Sequence, residues 1–160
     1  MLPINRIQAP FPVFYIPKYF IIEELVSRKV YERLKKEGRL DQAWALFDVR
    51  ELMTIDALHE EYNQKIFIND WHKGGNRQHC GLRMDDSANV GSFFSQHKFA
   101  RGMDKHFEKT SSDQARKDCL ENPWRSCFKF ITCIEMNVSW FHSDCRNWDK
   151  EKLGILKVYP

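Results

Sequence analysis

The sequence predicts an α+β domain in which an N-terminal arm and helices pack on an antiparallel β-sheet that carries the candidate site. Apolar residues recur at helical spacing between about residues 22 and 62, whereas after Gln64 they alternate in the manner of half-buried strands. Helices followed by strands are typical of the α+β class. A chain of 160 residues can bury a core of its own, so residues 1–160 are expected to form a single domain.

The arm and the first helices are predicted in the N-terminal part of the chain. Four prolines interrupt residues 1–20, and because proline fixes φ and removes a donor, this segment is predicted to be an extended arm. Residues 22–37 carry apolar side chains at helical spacing and are followed by Gly38, which predicts a first helix. A second, longer helix is predicted from Asp41, a good N-cap, to about residue 62.

The remainder of the chain is predicted to supply the sheet. One further helix is expected at residues 111–121, where a serine can cap it and Pro123 ends it. A hairpin is expected with its turn at residues 135–137. The predicted strands are 65–69, 100–107, 127–134, 138–145 and an edge strand at 153–158, with loops at 71–76 and 85–94.

Composition and charge narrow the possible partners. The net charge of +3 is too small to indicate nucleic acid, although it would suit an anionic surface such as a bacterial wall. No run approaches the ~20 apolar residues that a membrane span needs, and residues 1–22 lack the pattern of a secretory signal. The odd number of cysteines, without a C-x-x-C pair, argues against a cysteine-based zinc site and fits a reducing cytosol.

Two short segments carry the candidate chemistry. The first places His97 and Asp104 seven residues apart, and the second places His142 beside Asp144. Two histidines and one aspartate make a three-ligand zinc set of the catalytic kind, in which water takes the fourth position. The alternative for the same residues is a buried cluster that is linked by hydrogen bonds and holds no metal.

These segments resemble the signature of the D-alanyl-D-alanine carboxypeptidase family of zinc peptidases. That signature reads Ser-x-His-x-x-Gly-x-Ala-x-Asp and, later in the chain, Trp-x-His-x-Asp. The residues in register are Ser95, His97, Asp104, Trp140, His142 and Asp144, while the family's Gly and Ala are exchanged, as Ala100 and Gly102. Both exchanged positions stay small, so the backbone can still pass close to its neighbours.

Further matches extend the resemblance over roughly residues 18–160. Cys80-Gly81-Leu82-Arg83 is similar to the family's Ser-Gly-Tyr-Arg. The small bacteriophage-encoded members are the most similar, because they share a Phe-x-Ile-x-Glu-Leu-Val segment, an Asn-x-Trp-x-x-Gly-Gly segment and a hydrophobic-Pro ending. The corresponding segments here are 20–26, 69–75 and the last residues before 160.

The resemblance implies a function and a set of site residues. It implies a hedgehog/DD-peptidase-like fold, a bound Zn²⁺ held by His97, Asp104 and His142, and a substrate site at Arg83 and Ser95. The implied activity is hydrolysis of peptidoglycan peptides, of the D-Ala-D-Ala carboxypeptidase or endopeptidase type, by a phage or prophage product. Such a protein would be made in the host cytoplasm and would act at the bacterial cell wall or in the phage particle.

The general base is the part of the family pattern that this sequence does not supply. Relatives commonly carry Glu, Asp or His two or three residues before the last histidine ligand, where this chain has Trp140 and Ser139. Glu135 and Asp144 are the acidic candidates nearby. Strand parity predicts that Asp144 faces the cleft and that Glu135, seven residues before His142, faces away. The freedom of the predicted turn nevertheless favours Glu135 as base, with Asp144 orienting an imidazole.

Two other functions are compatible with parts of the sequence. A catalytically inert zinc-binding domain, serving as a structural or wall-binding part of a phage particle, would keep the ligands without the base. A nucleic-acid-binding module is disfavoured, because the basic residues are scattered and their densest cluster, within 28–36, matches a solvated helix face.

Overall fold

The computed structural model describes residues 14–83 and 94–160, and its centre is a five-stranded mixed β-sheet with the strand order β1-β2-β4-β3-β5. The strands are β1 (Ile66–Phe67), β2 (Gly102–Phe107), β3 (Cys133–Glu135), β4 (Phe141–Asp144) and β5 (Leu156–Val158). The chain combines this sheet with helices, which is compatible with the predicted α+β class. Residues 1–13 of the predicted arm and most of the predicted loop at 85–94 lie outside the described residues.

The prediction of an antiparallel sheet is wrong at one edge. Strands β1, β2, β4 and β3 pair antiparallel, but β5 pairs parallel with β3. A short helix that the sequence analysis missed, α5 (Lys150–Leu153), lies between β4 and β5 and returns the chain to the end of the sheet where β3 begins. The edge strand predicted at 153–158 therefore begins only at residue 156. It runs parallel to β3, whereas the second strand of a hairpin would run antiparallel to its neighbour.

The helix predicted at 22–37 is interrupted and forms two helices, α1 (Ile22–Leu25) and α2 (Arg28–Lys36). Val26 adopts an extended conformation and forms a β-bridge with Leu82, which stops α1. The Ser27 side chain then accepts a hydrogen bond from the Val30 backbone N–H and caps α2. Apolar spacing alone could not reveal this break, because both halves keep the same buried face.

The long helix predicted from Asp41 is also divided. Residues Leu40–Leu46 form a 3-10 helix, and α3 (Val49–Tyr62) begins after Asp48, whose carboxylate accepts the Arg50 backbone N–H at 3.0 Å. Asp48 is thus the N-cap of the α-helix, and the prediction of Asp41 as its cap is wrong. The predicted end near residue 62 is confirmed, since Asn63 follows in the left-handed conformation that ends helices.

The hairpin of β3 and β4 is confirmed, but both strands are shorter than predicted. Residues 127–130 form turns rather than strand, and the Lys150 ammonium holds this region by donating to the Phe128 and Lys129 carbonyls. The connection between the two strands runs from residue 136 to 140, and a side chain from a helix holds its backbone. Arg116 of α4 (Ser112–Glu121) donates hydrogen bonds of 2.7 Å to the carbonyls of Val138 and Trp140.

The two faces of the sheet have different surroundings. On one face α3 packs against Met103, Lys105 and Phe107 of β2, and the Tyr62 and Phe107 rings lie 4.9 Å apart. The opposite face carries Asp104 and lines a cavity. Residues 14–20 cross α3 without regular structure, and Asp56 accepts hydrogen bonds from the Tyr15 hydroxyl and the Lys18 backbone N–H. No helix in the described ranges is long and apolar enough to cross a membrane.

Candidate metal centre

Three side chains that are distant in sequence converge in the structure: His97, Asp104 and His142. One ligand atom from each lies within 4.8 Å of the others, so the group could hold a metal ion. Asp104 Oδ1 is 3.3 Å from His97 Nε2 and 2.7 Å from His142 Nδ1. Ligands about 2.1 Å from a tetrahedral zinc lie roughly 3.4 Å from one another, so the His97–Asp104 distance fits a coordinated ion, whereas Asp104 and His142 would have to move apart.

Local backbone geometry places His97 and Asp104 on the cavity side. His97 lies in the 3-10 helix Gln96–Phe99, and Ala100 then takes a left-handed conformation with φ of 52° that turns the chain into β2. A Cβ at Gly102 would lie 2.9 Å from the Cβ atoms of Asp144 and Gln96. The glycine therefore allows β2 to approach the segment that carries His97.

The outer nitrogen of each imidazole faces an acceptor, which leaves the inner nitrogen available as a ligand. His97 Nδ1 is 3.0 Å from the Gly81 carbonyl, an arrangement in which the ring donates and Nε2 keeps its lone pair. His142 Nε2 is 3.3 Å from Asp144 Oδ2, which leaves Nδ1 directed at Asp104. Metal-binding histidines usually show this pattern of an outer hydrogen bond that fixes the tautomer.

Asp144 is itself fixed and fully buried. Arg146 donates from Nε and Nη2 to the carboxylate of Asp144 at 2.8 and 2.6 Å, and the Arg146 backbone N–H donates to the same group. Burial raises the pKa of Asp144, but the hydrogen bonds from Arg146 and His142 outweigh it and lower the pKa to about 2. A carboxylate held in this way orients His142 and has little freedom to move a proton.

The pKa shifts at the cluster differ between the two histidines. Burial lowers the pKa of His97, and its contact with Asp104 does not offset this effect. Burial also lowers the pKa of His142, but hydrogen bonds to Asp104 and Asp144 outweigh it and raise the pKa to about 9. Asp104 has a pKa far below its usual range, because the two imidazoles outweigh the effect of burial. Without metal, the surroundings therefore favour the charged form of His142 and the neutral form of His97.

The cluster opens into a cavity of about 840 Å³. Six of the seven residues predicted for the site line it, and the seventh, Asp144, lies behind His142. The lining also includes residues that the sequence analysis did not assign to the site, such as Trp140 and Tyr159. The six are Arg83, Ser95, His97, Asp104, Glu135 and His142.

Arg83 is a buried cation that faces this cavity, and its side chain is 8% exposed. Its guanidinium donates to the His79 carbonyl at 2.8 Å and to Ser95 Oγ at 3.1 Å. Its Nε is buried and finds no acceptor in the described parts of the chain. Burial lowers the pKa of Arg83, and the more distant charges of Asp104 and Glu135 do not offset this effect. Ser95 thus contacts Arg83 directly and helps to hold it.

Glu135 faces the cavity, and the parity argument that turned it away is wrong. The β3–β4 ladder pairs Cys133 with Asp144 and Ile134 with Ser143, so its next step places Glu135 opposite His142. Asp104 lies opposite His142 on the other side. Opposed residues project from the same face of a sheet, so Asp104, His142 and Glu135 form one row across three strands. The length of the connection sets this register, which the count of seven residues ignored.

Several residues that support the site were not predicted from sequence. Arg146 follows Asp144 by two positions, a spacing that suits a local ion pair, and could have been found. Lys105 could have been found too, because it occupies an apolar-face position between Met103 and Phe107. The role of the Gly81 carbonyl depends on the tertiary contact with His97 and leaves no signal in the sequence.

Comparisons of the chain with protein-family models, with curated proteins and with solved structures find no match.

Proposed function

We propose that this protein is a zinc-dependent peptidase that hydrolyses peptide bonds of peptidoglycan. The observation that carries the proposal is the convergence of His97, Asp104 and His142 in a cavity that also holds the buried Arg83 guanidinium. Cation-binding and anion-binding groups thus face one space large enough for a short peptide. Pockets of this size usually take small ligands.

The donor set fits zinc. Two neutral imidazoles and one carboxylate resemble the three-ligand sets of catalytic zinc sites and would leave a net positive centre. A bound zinc would polarise the scissile carbonyl and lower the pKa of water at the site toward ~7. The hydrogen bonds from His97 to Gly81 and from His142 to Asp144 support this assignment, since they orient both rings before a metal arrives.

Glu135 is the proposed general base, in preference to Asp144. It lies in the same row as two of the ligands, and its carboxylate accepts no hydrogen bond from any residue in the described ranges. Its carboxylate can accept a proton from the attacking water and return it to the amine of the leaving group. Asp144 is occupied by Arg146 and His142, so we assign it the positioning of His142.

Arg83 is proposed to bind a carboxylate of the substrate. A planar guanidinium can form two parallel hydrogen bonds to a carboxylate, and burial strengthens such contacts. Ser95 supports this role by accepting a hydrogen bond from Arg83. A peptide with a free C-terminal carboxylate, as in a D-Ala-D-Ala stem, would satisfy Arg83 and present a nearby peptide bond to the ligand cluster.

The resemblance in the sequence extends the proposal to fold family and source. We propose a hedgehog/DD-peptidase-like fold and a phage or prophage origin, with action at the bacterial cell wall or in the phage particle. The catalytically inert alternative is favoured by one observation: Trp140 and Ser139 occupy the positions where relatives carry a base. In that case the centre would bind zinc and the protein would cleave nothing.

Mass spectrometry of peptidoglycan fragments after incubation with the zinc-loaded protein distinguishes an active peptidase from the catalytically inert alternative. The peptidase proposal predicts loss of a terminal D-Ala or separation of cross-linked stems, with parallel loss of product for the His142→Ala variant. Intact stems after prolonged incubation, from protein that carries one zinc per chain, would establish the inert alternative. The mass of each product also identifies the scissile bond.

A further inference from the structure

A buried ion pair lies beneath the metal-ligand cluster, on the other face of the sheet. Lys105 of β2 is 0% exposed and Glu51 of α3 is 1% exposed, and the Lys105 ammonium donates to Glu51 Oε1. Lys105 follows Asp104 directly, so its side chain leaves β2 on the face opposite to that ligand. Neither residue lines the cavity.

The Lys105 ammonium connects the two strands that carry ligands. Besides Glu51, it donates to the Met103 carbonyl at 3.1 Å, to the Ser143 carbonyl at 3.1 Å and to Ser143 Oγ at 2.8 Å. Met103 precedes Asp104 in β2, and Ser143 follows His142 in β4. One buried cation therefore holds the backbone of both strands directly behind the Asp104–His142 pair.

Stability alone gives a poor explanation for this pair. Burial of two charges costs desolvation free energy that the pair recovers only when every polar atom is satisfied, and apolar replacements of similar size are often neutral or stabilising. Here Glu51 Oε2 is buried and has no hydrogen-bond partner among the described residues. An incompletely satisfied ion pair at this position points to a role other than stabilisation of the fold.

We propose that Lys105 and Glu51 are positioning residues of the metal centre. Lys105 fixes β2 and β4 in the spacing that sets Asp104 opposite His142, and Glu51 anchors Lys105 to α3. Removal of the pair should leave a folded protein whose ligands are less well ordered. This inference rests on the proposed metal centre, and it assigns a function to two residues that contact neither metal nor substrate.

The test compares zinc affinity with folding stability in the double variant Lys105→Met/Glu51→Leu, which replaces the pair by apolar side chains of similar length. We expect the double variant to unfold in denaturant at the same midpoint as the parent or at a higher one. We expect its zinc dissociation constant to be ~10–100-fold larger, the usual effect of removing residues that hold metal ligands in place. The visible absorption of bound Co²⁺ reports ligand geometry and should also change. An unchanged dissociation constant and Co²⁺ spectrum in a folded variant would overturn the inference.

Two further measurements decide the remaining outcomes. Ser143→Ala removes one acceptor of Lys105 with little change in volume, so it decides the question if the double variant does not fold. We expect zinc affinity several-fold below that of the parent, and an unchanged affinity would count against the proposal. The parent is titrated first, because failure of the parent to bind zinc contradicts the metal centre itself, whereas a change confined to the variants concerns only the positioning role.

Discussion

Asp104 and His142 lie directly opposite each other in the β2–β4 ladder, with Asp104 Oδ1 2.7 Å from His142 Nδ1. Two residues separated by 38 positions thus become a cross-strand pair, and His97 approaches the same carboxylate from the preceding turn. The pair faces a cavity, and on the reverse of the sheet the Lys105–Glu51 pair holds the same two strands. The group that could hold a metal ion therefore depends on strand register as much as on the identity of its residues.

Replacement of any one ligand should abolish tight zinc binding. His97→Ala, Asp104→Ala and His142→Ala each leave two ligands, too few for a stable site of this kind. His106→Ala is the matched control, since His106 lies on the same face of β2 as Asp104 and lines the cavity without belonging to the ligand cluster. Zinc per chain, measured after dialysis, should fall to nearly zero in the three variants only. Retention of one zinc by His142→Ala would remove His142 from the ligand set.

Zinc binding should compete with a proton on His142. Hydrogen bonds to Asp104 and Asp144 raise the pKa of His142 in the metal-free protein from 6.5 to about 9. The protonated imidazole therefore stabilises the folded protein below pH 6.5, and this stabilisation is lost as the pH rises through about 9. Zinc requires neutral imidazoles, so binding at pH 7.5 should release about one proton, and affinity should rise about tenfold per pH unit up to about 9. Calorimetry in buffers with different ionisation enthalpies measures the released protons. Zinc uptake without proton release would contradict the pairing of His142 with Asp104.

Arg83→Lys should impair substrate use more than folding. Lysine keeps the charge but cannot form the paired hydrogen bonds of a guanidinium, so kcat/KM is expected to fall by roughly tenfold or more. The hydrogen bonds of Arg83 to the His79 carbonyl and to Ser95 Oγ are weakened as well, so the free energy of unfolding should fall by about 1 kcal/mol. Steady-state kinetics and denaturant unfolding of the same preparation compare the two effects. Equal kinetics for parent and variant would exclude Arg83 from the substrate site.

Amide substitutions should separate the two acidic candidates. Glu135→Gln is expected to lower hydrolysis by ~10²-fold or more while zinc content stays at that of the parent, since the general base is lost and the ligands are intact. Asp144→Asn should instead weaken zinc binding by ~10–100-fold, because Asp144 orients His142. Hydrolysis rates are compared at equal zinc occupancy, with His59→Ala as the control. Full activity in both amide variants would place the base elsewhere.

Ala100 and Gly102, the two small residues between His97 and Asp104, should change the stability in opposite directions when they are substituted. Ala100 has φ of 52°, which an alanine adopts at a cost, so Ala100→Gly should raise the free energy of unfolding by about 0.5–1 kcal/mol. Gly102→Ala places a Cβ 2.9 Å from two neighbouring Cβ atoms and should lower it by about 1–3 kcal/mol, with weaker zinc binding. Denaturant unfolding of both variants tests the pair. Stabilisation by Gly102→Ala would contradict the close approach of β2 to the His97 segment.

The residues of the candidate site could be predicted from sequence because they lie in short local motifs. Two histidines and an aspartate in two short segments suggested a ligand set, the resemblance to the zinc-peptidase signature selected it, and the structure brings His97, Asp104 and His142 together. The alternation around Asp104 also predicted a strand that carries it, and β2 confirms this. Local patterns succeed where the physical cause, such as the period of a strand, acts within a few residues.

The errors concern features that depend on distant contacts. The break at Val26 needs Leu82 as a partner, and the start of β3 at Cys133 depends on Lys150 holding residues 127–130 in turns. The orientation of Glu135 follows from the length of the connection to β4, which no residue count across an undefined turn can supply. In each case a residue far along the chain decides a local conformation.

The most direct test of the metal centre is elemental analysis of the purified parent protein by mass spectrometry, after expression in medium that contains zinc, iron and manganese at equal concentration. The proposed function predicts one zinc per chain, lost on chelation at low pH and restored on addition of Zn²⁺. A protein that carries less than a tenth of an equivalent of any metal, or that carries iron in place of zinc, would contradict the proposed zinc peptidase.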